Sequence, residues 1–362
     1  MHLYRPDNRD CWITDAWRFN GLQAVILENS LLRVVILPDK GSDIVEFRYK
    51  PADIDFLLQF PGGLRNPHLD TPSAAIKNPF LDYFSGGWND VLPNGGPNVN
   101  YKGAEIGQHG EASLMRWQYA IVEDKDQSVA LKLWVRLLRT PFLIEKTLSL
   151  KADSAVLTIE ERVTNEGGEP LHFMWGQHIA FGRPFLDEGA VIDAPDCRFI
   201  AHDAMDGYEP RRFQPGVEAN WSMIPTPDGK TDDASIVPPF GDTRVQEMAY
   251  LAELSDGWYA ITNQKRQVGF GLRFDHTLFR YIWYWQQLGN VAQGYPWWGR
   301  LHTTALEPWT SYPTNGLTEA IENGTAYLLQ AGEHIETSLL AIAYESKNRV
   351  THITTNGEVL TS

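Results

Sequence analysis

Cysteine is almost missing from these 362 residues: Cys11 and Cys197 are the only two. That excludes a disulfide framework and a cysteine-based zinc site, and thiols kept reduced in a cytoplasm are the simplest reading. Cations are scarce too, with 31 Lys and Arg against 46 Asp and Glu and a formal net charge of −15. Nucleic acid and anionic membranes both call for a basic face, so neither is expected as a partner. No apolar stretch approaches the roughly 18 residues that a bilayer span requires. The opening segment, Met1–Trp17, lacks the basic-then-apolar pattern of a secretory signal, which again points to a cytoplasmic protein. Phosphate-loop and HExxH-type metal spacings are absent as well. Long helices are excluded by 30 Gly and 22 Pro spread along the chain.

What is present reads as strands and turns. The chain is 43% hydrophobic, enough to bury a sizeable core. Met115, Trp117, Tyr119 and Ile121 alternate with Arg116 and Gln118, as a half-buried strand requires. Val129, Leu131, Leu133, Val135 and Leu137 repeat the pattern, and so do Ala155, Leu157 and Ile159. Further strands are predicted at Leu32–Leu37, Ile44–Tyr49, Leu143–Leu150, Phe270–Phe274, Tyr281–Gln286 and Ile335–Tyr344. Short helices fit only at Ser73–Lys77 and Leu317–Asn323. Many short strands without crossover helices predict an all-β, antiparallel sandwich. One domain over residues 1–362 is expected, with long irregular loops around 182–244.

Four turn-rich stretches carry polar chemistry. Phe84–Gly96 sets four glycines around Trp88, Asn89, Asp90 and Asn94, where backbone can approach a ligand closely. It contains neither Lys nor Arg, so it is no phosphate cradle. Gln108-His109-Gly110 lies just before a predicted strand, and His178 sits among aliphatic and aromatic neighbours in Trp175–Phe181. Glu307, between Leu306 and Pro308-Trp309, would be an extended carboxylate in low dielectric, where its basicity rises. Each stretch alone also has a bland reading: a glycine-rich connection, a structural turn histidine, a neutral core histidine, a surface glutamate. The ring-rich segments Tyr281–Trp285 and Tyr295–Trp298 shift the balance towards sugar, whose apolar faces stack on Trp and Tyr while Asn, Asp and Glu read hydroxyls.

The order of these pieces resembles the aldose 1-epimerase (galactose mutarotase-like) family. The resemblance rests on Leu32–Gly41 followed by Ile44–Lys50, on Gly86–Asn94, on Gln108–Gly110 with Trp117 downstream, on Gly176–Phe181, on Leu306–Pro308, and on Leu329–Glu333. It implies a large antiparallel β-sandwich (a supersandwich) that interconverts the α and β anomers of a free aldose or close derivative. By resemblance Glu307 is the base that takes the anomeric hydroxyl proton, His178 the acid that protonates the ring oxygen, and His109 a binder and partner in proton donation. Trp88, Asn89, Gln108, Asp275 and Trp285 are the candidate substrate-binding residues. The implied partner is a monosaccharide or sugar derivative, a homodimer is left open, and no metal or organic cofactor is required.

The sequence also departs from that pattern. The loop Gly86–Asn100 lacks the arginine common before the first histidine, Gln177 stands where Asn is usual, and the family's binding aspartate has no aligned counterpart beyond Asp275. These departures point away from galactose itself and towards an unphosphorylated aldose, with Arg273 and Arg300 the cations that could still reach a pocket. Two other classes fit the same residues: a non-catalytic carbohydrate-binding protein, and a hydrolase or lyase on the same fold. A hydrolase would want a second carboxylate flanking the bond.

Overall fold

The computed structural model describes residues 9–70, 78–203, 208–241 and 244–362. Strands take up 49% of the structure and helices 4%. The alternating segments form strands because one face of each finds a core: in Ser128–Arg136, Val129, Leu131, Leu133 and Val135 are buried while Lys132 and Arg136 are not.

Two large antiparallel sheets face one another. In the larger, the strands run in the order Cys11–Phe19, Leu22–Asn29, Leu32–Leu37, Asp43–Tyr49, Trp88–Val91, Gly176–Phe181, Thr303–Trp309, Tyr281–Leu288, Val245–Ala252, Arg198–Ala201 and Glu218–Asn220. The smaller runs Ala190–Asp193, Trp258–Asn263, Val268–Arg273, His334–Glu345, Val156–Asn165, Phe142–Lys151, Ser128–Arg136 and Gln118–Lys125. Rings interlock between them, with Phe47 and Phe181 of the first sheet 5.5 and 5.0 Å from Phe270 of the second. The middle strands of the larger sheet are covered on both faces: every residue of Gly176–Phe181 and of Thr303–Trp309 is buried. One of those faces meets the smaller sheet, and the other floors the cavity described below.

Three segments differ from expectation. The strand expected at Met115–Ile121 starts only at Gln118, because Gly41 N–H donates to Met115 O and Trp117 N–H to Pro38 O, tying 115–117 to a turn of the other sheet. Gln118–Lys125 is then an edge strand, and Ile121 is 38% exposed. The 182–244 stretch is less irregular than its composition suggests, since Ala190–Asp193 edges the smaller sheet and Arg198–Ala201 joins the larger. A helix at Pro79–Tyr83 was not foreseen; Asn78 caps it by accepting from Leu81 N–H at 3.2 Å, and proline opens it. The helix at Leu317–Glu322 agrees with expectation, while Ser73–Lys77 lies outside the described residues.

Charged groups sit on the inner, apolar faces. In Phe142–Lys151 the buried positions are Phe142, Ile144, Lys146, Leu148 and Leu150; across the ladder Lys146 pairs with Glu161, itself in line with Leu157, Ile159 and Val163. Lys146 Nζ donates to Asp90 Oδ2, reaching from one sheet to the other, and Ser42 Oγ donates to the same oxygen at 3.0 Å. Lys40 makes a second buried pair with Asp43. Burial, then the neighbouring Asp90 charge, holds the Glu161 carboxyl well above the usual range. Lys146→Met leaves Asp90 charged and dry and is expected to cost about 3–5 kcal/mol in urea unfolding. Adding Asp90→Asn should recover part of that loss, because the stranded charge is gone.

Candidate active site

A cavity of about 620 Å³ opens on the outer face of the larger sheet. His178, Glu307, Trp283, Trp285, Gln246 and Met248 rise from adjacent strands of its floor. The walls come from the Pro79–Tyr83 helix with Phe84, from Gly96-Pro97, Gln108-His109 and Thr314-Asn315, and from Tyr208 and the 293–297 loop. Among the described lining residues Glu307 is the sole carboxylate, and none is Lys or Arg.

Glu307 Oε1 lies 3.6 Å from His178 Nε2, and both side chains are buried. Pro308 has no N–H, and on the His178 side the ladder is interrupted between Ala305 and Trp309. That gap puts Glu307 opposite His178 in an extended but loosened stretch. Trp309 Nε1 donates to Glu307 Oε2 at 2.9 Å, and the Trp309 ring stacks on Trp283 at 3.9 Å. Gly176 makes this placement possible, since a Cβ there would lie 2.2 Å from the Trp309 indole. Burial pushes the Glu307 carboxyl up to about 8, against the pull of the Trp309 hydrogen bond, and pushes the His178 imidazole down to about 4. Between those limits the pair holds one proton.

His109 is placed by the loops. Its backbone sits in the left-handed region at φ 56°, its N–H donates to Gly96 O at 3.1 Å, and Gly96 N–H donates back to its Nδ1 at 3.2 Å. Because Nδ1 accepts, the neutral ring carries its proton on Nε2. Burial, and then His178 with its ring centroid 5.6 Å away, keeps His109 neutral by holding its pKa well below the ordinary value. It is a fixed hydrogen-bond donor. Asn94 braces the same loops, donating to Pro97 O and Gly107 O and accepting from Leu317 N–H.

Of the other residues singled out in the sequence, Gln108 and Trp285 line the cavity, whereas Trp88, Asn89 and Asp275 are not among its lining residues. Trp88 points into the core, where its Nε1 donates to Gln177 Oε1, and Gln177 Nε2 donates to Glu161 Oε2. Asn89 pairs in register with His178 but is buried beside Asp43. Asp275 is exposed and caps a turn through Thr277. Gly86 admits protein backbone and not a ligand, for a Cβ there would meet Leu58 O at 2.1 Å. Arg273 is engaged by Asp256, and neither it nor Arg300 lines the cavity. Sequence reasoning missed Phe80 and Phe84, although the Asn78-Pro79 signature of a helix start was there to find them. It also missed Gln246, Met248 and Thr314, which carry no local signal. Among the described residues no group of three or more His, Cys, Asp or Glu side chains could hold a metal, and no helix is long and apolar enough to cross a membrane.

This is the fold of the galactose mutarotase-like proteins. The structure superposes on the putative aldose 1-epimerase of Klebsiella pneumoniae with a TM-score of 0.71 at 16% identity, covering 93% of this chain and 84% of that one. A galactose mutarotase-like protein of Clostridium acetobutylicum gives 0.61 at 13% identity over 93% and 99% of the two chains. A galactose mutarotase related enzyme of Lactobacillus acidophilus gives 0.56 at 16% over 91% and 100%. Within that fold, residues 19–341 match the family described as a domain of unknown function, DUF4432, and the chain belongs to it. No curated protein matches the sequence.

Gly176→Ala tests the placement of Trp309. The added methyl has to displace the indole, so a loss of about 1–3 kcal/mol in unfolding free energy is expected, together with altered tryptophan fluorescence. Unchanged stability and spectrum would mean that Trp309 does not depend on the missing side chain.

Proposed function

We propose that this protein is an aldose 1-epimerase acting on a neutral, unphosphorylated aldose. The observation that carries the reading is the Glu307–His178 pair, 3.6 Å apart in a largely aromatic cavity. Anomer exchange needs one proton taken from the anomeric hydroxyl and one given to the ring oxygen, with the roles reversed as the ring recloses. A carboxyl and an imidazole sharing one proton can do both. The shifts rest that proton on Glu307, and the family resemblance assigns Glu307 as base and His178 as acid once the proton has passed across the 3.6 Å contact to the imidazole. The His109 Nε2–H donates to a sugar oxygen and fixes the ring, while Gln108 and the face of Trp285 contribute to binding. We place the protein in the cytoplasm, working as one structural unit without metal or organic cofactor. A purely sugar-binding protein would keep the rings but has no need of a buried carboxyl facing an imidazole.

Polarimetry on freshly dissolved single anomers of several aldoses tests this reading. Glu307→Gln keeps size and hydrogen bonding but removes the proton acceptor, so the rate on the best substrate should fall by roughly 10²–10⁴-fold while binding survives. A wild-type rate in that variant would refute the mechanism; binding of an aldose with no turnover of any would favour the binding protein.

The pH profile follows from the proton count. Below about 4 the pair gains a second proton and loses its base; above about 8 it gives up its last and loses its acid. A bell-shaped rate between those limbs is expected, and a rate still rising at pH 10 would exclude the pair. The 6-phosphate of the preferred hexose should be the poorer substrate, because no cation lines the described cavity to meet it.

A further inference from the structure

The cavity is too large for one sugar ring. At the density of close-packed matter a hexopyranose fills roughly 200 Å³, against about 620 Å³ here. The aromatic surface also continues past the reacting pair. The Trp285 ring lies 6.0 Å from His178, close enough to flank a sugar whose anomeric carbon faces Glu307. Trp297 follows 5.7 Å further on, held by Phe84 at 5.6 Å and Phe60 at 5.8 Å. Beyond it Tyr295 is half exposed, its hydroxyl donating to Asp82, and Gln293 is exposed at the mouth. Rings stepping outwards from a buried reaction centre, with no Lys or Arg among the described lining residues, suit a chain of neutral sugars.

We propose that the substrate is a neutral reducing disaccharide or longer saccharide, its reducing ring at Trp285 and its second ring on Trp297. The proposal rests on the anomer-exchange reading for its orientation, with the reducing end innermost. Trp297 is a specificity-determining residue in this scheme. The second ring adds one aromatic contact, which sets the expected gain in affinity at roughly three- to tenfold.

Tryptophan fluorescence titration measures this without requiring turnover. The probes are maltose, cellobiose and lactose, each against glucose, plus the methyl glycosides of the three disaccharides, which cannot change anomer. At least one disaccharide is expected to bind three- to tenfold more tightly than glucose, and its methyl glycoside should still bind. Trp297→Ala should bring the ratio of the two dissociation constants near one, and Trp297→Phe, which keeps a ring and guards against loop collapse, should restore most of it. The proposal is overturned if no disaccharide binds more tightly than glucose, if none of these sugars binds, or if Trp297→Ala leaves the preference intact. Polarimetry on the same sugars separates the two ideas. A disaccharide that binds through Trp297 without changing anomer sinks the epimerase reading alone, and glucose turned over with no disaccharide preference sinks this proposal alone.

Discussion

The buried contact between Lys146 and Asp90 is what the rest of the arrangement leans on. It spans the space between the two sheets at the place where the larger one carries the candidate site residues. Asp90 lies in the strand next to that of His178, and Gln177 is tethered through Glu161 to the same cluster. Ions in a dry interior are held by strict geometry, because every lost contact leaves a charge without solvent. The back of the His178 strand is therefore fixed by polar contacts that tolerate little sliding, and its front faces the cavity. An apolar interface of the same volume would let the sheets shift by fractions of an ångström at small cost. The site depends on a 3.6 Å separation between two side chains, and such shifts would blur it.

The front of the sheet gains its chemistry from a local fault in regular structure. A proline in a central strand is normally excluded because the ladder needs its N–H. Here the ladder is open on that side between Ala305 and Trp309, and Glu307 and His178 face one another across the gap. The indole of Trp309 covers that stretch, lying over Gly176 and donating to the Glu307 carboxyl. The raised carboxyl and the depressed imidazole share one cause, the loss of solvent on both sides.

The sequence made the strands readable wherever alternation was clean, as in Val129–Leu137, because a period of two and a single core settle the facing of each residue. It misled at Met115–Ile121, where the same alternation fell on an edge strand whose first residues are drawn off by a turn of the other sheet. The His109, His178 and Glu307 stretches stood out through residue type and neighbours, and the fold puts all three at one cavity. Trp88 and Asn89 looked equally suited, yet they lie on a strand packed from both sides, and nothing in a local pattern says which face holds the ligand. The buried charges were visible in principle. Lys146 and Glu161 each interrupt an apolar alternation at an inward position, and a charge in that register announces a partner across the core. Gln246, Met248 and Thr314 could not be found that way, because only the sheet order brings them to the cavity.

The lack of any lysine or arginine along the described cavity wall has a kinetic consequence. A site that holds an anion gathers it from solution through long-range attraction, and its capture rate falls steeply as salt is added. This chain carries a net charge of −15 and has no cation among the described lining residues, so its field repels anions and exerts no pull on uncharged molecules. An uncharged sugar would thus arrive by unassisted diffusion, at a capture rate indifferent to ionic strength. On the proposed reading, a phosphorylated sugar would then be disfavoured by the field around the protein as well as by the cavity wall.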